Sequence, residues 1–507
     1  MQAMQRISSQ QPHALHDTIA TRRLEAAASA ALAPHALMQR AGAAVARLAL
    51  ALAPHARCLW IACGSGNNGG DGLEAAALLQ AAGHPVCVGL LADPQQLPAD
   101  AAAAWQRARN AGVRFIDTAP LLGPQDLCID ALLGLGLRAQ PRAQTPDQRC
   151  VQWLAQMHAS AATLLSVDLP SGLLADTGGW APGFEDSPRG AGARHTLSLL
   201  TLHPGLFTAH GRDAAGTVWF DPLGVDASGE PAAALLNGMP AAAARLHAGH
   251  KGSYGDVAVI GGEGLAARGM GMTGAALLAA LAALHGGAGR VLLALLDDGA
   301  TTALASSPEL MLRRLEAIDL AQASVVCGCG GGAAVAAALP RVLTQAHRLV
   351  LDADALNAIA ADAALQNLLT ARAQRSACTT VITPHPLEAA RLLASTAAAV
   401  QADRLGAANA LARRFGCTVV LKGSGSIVAA PGQTPRINST GNARLATAGT
   451  GDVLAGLIGA RLAAAPAGTD QALHAAASAC WRHGALADAW PAGQALTASA
   501  LARTLQP

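Results

Sequence analysis

Aromatic residues are scarce in this chain: one Tyr, five Phe and seven Trp among 507 residues. Its cores cannot lean on stacked rings, so they must be filled with Ala, Leu and Val, with 54 glycines punctuating the elements. Charge is scarce too, at 13% of residues with a net of +2, and no run of Lys or Arg stands out. The footprint of a polyanion binder is missing, which points to small molecules and away from nucleic acid. The ten cysteines form no Cys-x-x-Cys pair, and Cys327 and Cys329 stand too close together for a zinc ribbon. They read as reduced, mostly buried thiols. No apolar run reaches the length of a membrane span, since the most apolar stretch, 275–284, stops at His285, Gly286 and Gly287. Residues 1–16 are polar and lack the apolar centre of a signal peptide, so a soluble, cytoplasmic protein is expected.

What is present is length and alternation. A chain of 507 residues exceeds one ordinary core, and two domains are expected. Residues 19–53 are Ala- and Leu-rich with Arg22, Arg23, Arg40 and Arg47 interspersed, as in one or two amphipathic helices. Short apolar runs at 57–62, 85–90, 127–132 and 163–167 read as strands, each entering a turn rich in Gly, Asp or Pro, with Ala-rich helical stretches between. This alternation argues a parallel α/β sheet. The order weakens around 226–248, where Gly229, Pro231, Gly238 and Pro240 interrupt alanines. We therefore expect a first domain over 1–228, a linker over 229–247 and a second domain over 248–507. In the latter, strands at 256–260, 290–295, 323–327, 349–351, 379–382 and 418–421 build a second α/β fold.

In the first domain, Gly64-Ser65-Gly66-Asn67-Asn68-Gly69-Gly70-Asp71-Gly72 follows a strand and opens a helix, where free backbone N–H groups receive phosphate. Asn67, Asn68 and Asp71 break the dinucleotide pattern G-x-G-x-x-G and place oxygens there that suit a hard cation. Two later strand ends add Asp130 in Asp130-Ala131-Leu132-Leu133-Gly134, and Asp168 with Ser171 in Asp168-Leu169-Pro170-Ser171-Gly172. Ligands of open parallel sheets bind at such ends. Taken singly, each Asp also suits a helix or turn cap.

Together, N-N-G-G-D-G, D-A-L-L-G and D-L-P-S-G, preceded by Leu37-Met38-Gln39-Arg40-Ala41-Gly42, resemble the NAD(P)H-hydrate epimerase family over 15–224. The resemblance implies a Rossmann-like, three-layer α/β/α domain. It also implies that Asn68, Asp130 and Ser171 hold K+, while Asn67, Asn68, Gly69, Gly70, Asp71, Gly134, Leu135, Gly136, Leu137, Arg138 and Asp168 contact the hydrated nucleotide. Inverting a carbon that bears a hydroxyl and a ring nitrogen is work for an acid-base group, and Asp168 is the candidate. The family often carries Lys where this chain reads Leu202-His203-Pro204-Gly205.

In the second domain, Gly449-Thr450-Gly451-Asp452 leads into an apolar helix. Its N–H groups would form an anion hole for a transferring phosphoryl group, and Asp452 would take the proton of an attacking hydroxyl. Alone, Asp452 equally suits a helix terminus favoured by the dipole. Further polar motifs close the other strands: Cys329-Gly330-Gly331-Gly332, Asp352-Ala353-Asp354, Thr383-Pro384-His385-Pro386-Leu387-Glu388 and Lys422-Gly423-Ser424-Gly425-Ser426. The ordered set resembles the ADP-dependent NAD(P)H-hydrate dehydratase family, a ribokinase-like branch, over 248–501. By that resemblance Lys422, Gly423, Ser424, Gly425, Ser426 and Gly451 hold ADP, and Mg2+ accompanies it. Ala276, Gly330, His385 and Asp452 face the hydrate. The chain departs from the family's P-G-L-G turn at 329–332, and Leu387 replaces a glycine. The implied function is repair of hydrated NADH and NADPH by a homo-oligomer of a two-activity chain. The rival reading is a small-alcohol kinase fused to a non-catalytic nucleotide-binding module.

Overall fold

A computed structural model describes residues 4–137, 147–184, 190–241, 247–296, 307–465 and 469–507, apart from the side chains of 267, 469 and 470. The chain splits into two compact units, one of Met1–Ser8 with Ala14–Ala234, the other of Ser9–His13 with Leu235–Pro507.

The first unit is built on an eight-stranded sheet. From one edge the strands are Gln5–Arg6, Thr217–Asp221, Arg194–Leu199, Thr163–Val167, Leu127–Ala131, Leu59–Cys63, Val86–Leu90 and Arg114–Phe115. All neighbours run parallel except the first pair. Leu59–Cys63 is buried at every position, as a strand covered on both faces must be. Its alternate residues separate two cores: Leu59, Ile61 and Cys63 pack with helices Ala36–Leu52, Asn67–Ala81 and Ala99–Asn110. Trp60 and Ala62 pack with Trp153, Leu154 and Met157 of helix Gln148–Ala159. Three layers result. Where large rings do occur they are used economically, Trp60 meeting Trp153 edge-on at 5.7 Å. Strand order reverses between Leu127–Ala131 and Leu59–Cys63, which opens a crevice beyond their carboxyl ends.

In the second unit seven parallel strands run in the order Met311–Leu312, Arg290–Leu295, Asp256–Gly261, Ser324–Cys327, Arg348–Leu351, Thr379–Ile382 and Thr418–Leu421. Ile427–Ala429 and Arg436–Ile437 continue the sheet antiparallel. Val257, Val259, Val326, Val350, Val381 and Val420 pack with helices Thr273–His285 and Thr450–Ala464, and the intervening Ala258, Ile260 and Val325 are equally buried on the opposite face. Here the order switches between Asp256–Gly261 and Ser324–Cys327.

Residues 229–247, expected as a linker, contain a strand. Ala234–Leu236 pairs parallel with Arg436–Ile437, the N–H groups of Leu235 and Asn237 reaching Pro435 O and Ile437 O at 2.8 Å each. Ala234 and Leu236 are fully buried, and the Gly and Pro signals mark only the flanks of this short element. The N-terminal segment Ser9–His13 also belongs to the second unit, where the Trp481 indole N–H donates to Ser9 O at 2.8 Å.

Candidate active sites

The first-unit crevice widens into a cavity of about 540 Å³ lined by Asn67, Asn68, Asp71, Asp168 and the turn Gly134, Leu135, Gly136 and Leu137. Arg138 lies outside the described residues. Asn67, Asn68, Gly69, Gly70 and Asp71 form the first turns of helix Asn67–Ala81, so the loop itself is only 64–66. The glycines let that helix sit close. A Cβ on Gly70 would fall 2.5 Å from Met38 Cε, and one on Gly72 would fall 2.6 Å from Ala131 Cβ. Asn68 Nδ2 is buried without a partner beside Gly134.

Asp130 is fully buried at the end of its strand. Its Oδ1 accepts from Ser171 Oγ at 2.6 Å and from Leu132 N–H at 3.2 Å, and its Oδ2 accepts from Ser171 N–H at 2.9 Å. Burial raises the Asp130 pKa, and the Ser171 hydrogen bonds oppose the rise. Ser171 Oγ also lies 3.2 Å from Leu133 O, so carboxylate, hydroxyl and carbonyl oxygens converge. That set of oxygens suits a monovalent cation, whereas the Asn68 atom left without a partner, Nδ2, is a hydrogen-bond donor and would not be a ligand.

Asp168 sits after its strand in the left-handed region at φ 64, a conformation a non-glycine residue holds only when its surroundings impose it. Oδ1 accepts from Leu199 N–H at 3.3 Å and lies 3.8 Å from His203 Nε2. Burial raises its pKa, with the His203 charge opposing. His203 is itself fully buried, its Nδ1–H donating to His16 O at 3.1 Å. Sequence reasoning missed Glu25, which lines the same cavity from helix Thr18–Ala31. Burial and then Asp168 raise its pKa, and burial followed by Asp168 lifts that of Asp71 well above the usual range. An acid-rich pocket whose carboxyls favour protonation is equipped for proton transfer.

In the second unit, the strand ends gather Asp352, Lys422, Asp452 and Cys329. Lys422 Nζ donates to Asp352 Oδ1 at 2.6 Å, and Thr383 Oγ donates to the same oxygen at 2.8 Å. Burial alone would lower the Lys422 pKa, but Asp352 and Glu388 outweigh it and hold the ammonium charged. Asp452 lies in the first turn of helix Thr450–Ala464, whose preceding Gly449 takes φ 92. Burial and then Asp352 push its pKa to about 7. Gly451 faces Lys422, a Cβ there falling 3.5 Å from Nζ.

Gly423 and Gly425 turn at φ 138 and 63, and Ser426 Oγ donates to Gly423 O at 3.2 Å, which closes the 422–426 loop. A residue without a motif holds that loop: buried Arg404 donates to Lys422 O at 3.2 Å, and a Cβ on Gly423 would fall 2.7 Å from its Nη1. Ser424 lies within the same turn. Gly330 takes φ 58 over Met272 O, 2.4 Å from where its Cβ would be. Two expected contacts look different in the structure. Ala276 is fully buried in the core of helix Thr273–His285, so its methyl group meets apolar neighbours and only its backbone is left for a ligand. His385 caps helix Pro386–Leu393, its Nδ1 accepting from Leu387 N–H at 3.1 Å and Glu388 N–H at 3.3 Å, with Glu388 reciprocating to His385 N–H at 2.8 Å.

Cys329 Sγ and one oxygen each of Asp352 and Asp452 lie within 4.8 Å of one another. This set does not suit Mg2+, a hard ion that prefers six oxygens, because one donor is a thiol and Lys422 already compensates Asp352. Among the described residues no helix is long and apolar enough to cross a membrane.

Comparison with known proteins covers both units. The family profile described as NAD(P)H-hydrate dehydratase matches residues 257–507, and that described as YjeF-related protein N-terminus matches 34–205. The chain is 36% identical to the "Bifunctional NAD(P)H-hydrate repair enzyme Nnr" of Escherichia coli over 92% of its length and 87% of the relative's. It is 41% identical to the "ADP-dependent (S)-NAD(P)H-hydrate dehydratase" of Neisseria meningitidis over 52% of its length and 86% of the relative's. A solved ADP/ATP-dependent NAD(P)H-hydrate dehydratase of Bacillus subtilis, co-crystallised with ATP/Mg2+, is 29% identical over 52% of this chain and 91% of that one, with a TM-score of 0.42. With curated relatives spanning both crevices in one polypeptide, the chain belongs to the bifunctional NAD(P)H-hydrate repair enzyme family.

Proposed function

We propose that the first unit interconverts the R and S hydrates of NADH and NADPH, and that the second dehydrates the S hydrate at the expense of ADP. The observation that carries this reading is the placement of one carboxylate in each strand-end crevice: buried Asp168 lining the cavity, and Asp452 clustered with Asp352, which Lys422 binds.

For epimerisation, the Asp168 carboxyl gives its proton to the hydrate hydroxyl, and the C–O bond breaks with its electron pair leaving on water. The ring nitrogen lone pair forms a C=N bond. Water then adds to the opposite face, the ring nitrogen recovers its pair, and the released proton returns to Asp168. A raised pKa suits the donor half of this cycle, as burial keeps Asp168 protonated further up the pH scale. Asn67, Asn68, Asp71 and the Gly134, Leu135, Gly136 and Leu137 turn border the space for the nucleotide, with Gly69 and Gly70 buried behind them in the first turns of the helix. Asp130, Ser171 and Asn68 would hold K+, whose charge would offset that of the nucleotide phosphates.

For dehydration, Asp452 takes the proton of the S-hydrate hydroxyl as its oxygen attacks the β-phosphorus of ADP. The bond to the bridging oxygen breaks and AMP leaves. Phosphate then departs from carbon with its electron pair, a proton leaves the neighbouring carbon, and the ring double bond is restored. Lys422, Gly423, Ser424, Gly425, Ser426 and Gly451 form the ADP end, and Gly330, His385 and the backbone at Ala276 border the hydrate end.

The test is recovery of reduced-nicotinamide absorbance from mixed R and S hydrates with ADP. Wild type recovers all of it. Asp452→Asn loses the ADP-dependent recovery by at least a factor of about 100, as loss of a general base predicts. Asp168→Asn recovers the S fraction at the normal rate and leaves a slow R phase. A wild-type protein that phosphorylates small alcohols and leaves hydrates untouched would replace this reading with the kinase one.

A further inference from the structure

Four carboxyl groups line the cavity of the first unit, those of Glu25, Asp71, Asp100 and Asp168, and among the described residues a single cationic side chain joins them, Arg22. Every hydrated nicotinamide dinucleotide carries a pyrophosphate, and the NADPH form carries a ribose phosphate besides. An anion entering an acid-lined cavity is repelled unless a fixed positive group receives it. The proton transfers proposed for Asp168 make no use of the guanidinium.

The backbone under Arg22 is held from several sides. Helix Thr18–Ala31 starts at Asp17, whose Oδ1 accepts from Ala20 N–H at 2.8 Å. Thr18 donates to Asp176 Oδ1 twice, from its N–H at 2.8 Å and from its Oγ at 3.0 Å. Buried Thr21 meets Thr201, the two hydroxyls 2.7 Å apart. The first turn of the helix is thereby pinned to two distant segments of the unit, and the long side chain of Arg22 leaves from a fixed point. Its Nη2–H donates to Leu135 O at 3.1 Å, in the 134–137 turn that lines the same cavity. Arg22 is exposed as well as cavity-lining, which puts it where the cavity opens to solvent. One bond to a carbonyl engages one of five N–H donors, so the guanidinium keeps donors for a ligand.

We propose that Arg22 is a specificity-determining residue of the first unit, which recognises a phosphate group of the hydrated dinucleotide at the cavity mouth through its forked guanidinium. The fork grips two phosphate oxygens at once and stays charged at every working pH, which an ammonium or an amide does not combine. The bond to Leu135 O aims the fork and ties it to the turn that borders the nucleotide.

This inference rests on the reading of the first unit as an epimerase, and its test separates the two. Conversion of R hydrate to S hydrate is followed by chromatography without ADP, which leaves the second unit idle. NADH and NADPH hydrates are compared at low and high salt in wild type, Arg22→Gln and Arg22→Lys. Arg22→Gln keeps an N–H for Leu135 O and loses the charge. Its KM rises about tenfold, the scale of one charge-assisted hydrogen bond, with kcat close to wild type. Its KM also varies less with salt, because the charge that salt screens is gone. Arg22→Lys keeps the charge, loses the fork and recovers part of the affinity. A rise confined to the NADPH hydrate assigns Arg22 to the ribose phosphate, and an equal rise for both hydrates assigns it to the pyrophosphate. An unchanged KM with both hydrates, or a fall in kcat alone, would overturn the proposal. A wild-type chain that leaves R hydrate unconverted would remove the epimerase reading. Equilibrium binding of the hydrates to wild type and Arg22→Gln, which needs no turnover, would then still decide the role of Arg22.

Discussion

His483 shows how a single side chain ties the second site to the rest of its unit. It is buried on helix Thr469–Asp488, and its Nε2–H donates to Thr450 O at 3.0 Å, at the start of the helix that carries Asp452. Burial lowers its pKa from 6.5 to about 4, against the opposing Thr450 hydrogen bond. Between those two values the unfolded chain binds a proton that the folded one refuses. Stability is therefore full above pH 6.5 and falls as pH drops toward 4, by roughly 3 kcal/mol at most. Denaturant melts across this range should show the slope in wild type and a flatter one in His483→Gln; equal slopes would deny His483 this role. Nothing in the sequence marked this residue. Asp130, Asp168 and Asp352 were legible because they end or follow apolar runs, where a carboxylate interrupts a pattern, and Asp452 because it follows the Gly449-Thr450-Gly451 turn at the head of an apolar helix. Glu25, Arg404 and His483 sit within helices, where a polar residue is the ordinary outcome of amphipathic spacing and carries no signal of what it faces.

Among the elements, helix Thr450–Ala464 is the one on which the second site depends most directly. It packs so closely on Thr273–His285 that a Cβ at Gly456 would fall 2.0 Å from Ala279 O. Backbone cannot yield there as a side chain could. We expect Gly456→Ala to destabilise the second unit by about 1–3 kcal/mol and to lower its dehydratase rate, with epimerisation by the first unit unchanged. Equilibrium unfolding with the two activities measured separately checks this; loss of both together would mean that the helix matters beyond its own unit. The strand positions were legible to within a residue or two where Val, Ile and Leu clusters are bounded by Gly and Asp, but Arg194–Leu199 and Thr217–Asp221 were not expected, since Arg, His, Thr, Ser and Asp dilute their apolar pattern. The short strands Arg114–Phe115, Ala234–Leu236 and Arg436–Ile437 were not, because two or three residues are too few to show a period.

For the molecule as a whole, the division of the sequence at residue 229 was a reading of Gly and Pro density, and pairing geometry tells a finer story. A fragment beginning at 248 lacks the Leu235 and Asn237 hydrogen bonds to Pro435 and Ile437, together with the Asn237 side-chain donation to Ala477 O at 2.8 Å. It also leaves a sheet edge open. Compared by gel filtration and thermal melting, the fragment 229–507 should remain dispersed where 248–507 aggregates or melts lower. Equal behaviour would return residues 229–247 to the status of a linker.

The contact between Ser9 and Trp481, 472 residues apart, has a consequence in time. On the ribosome, at about 5–20 residues per second, the segment Ser9–His13 emerges on the order of half a minute or more before the helix that receives it. Gln5–Arg6, a few residues earlier, waits less, since its partner Thr217–Asp221 completes the first unit. The nascent chain therefore holds one end of its second unit in reserve until translation is nearly over, and slowing elongation late in the message should prolong the interval in which that segment is open to proteases.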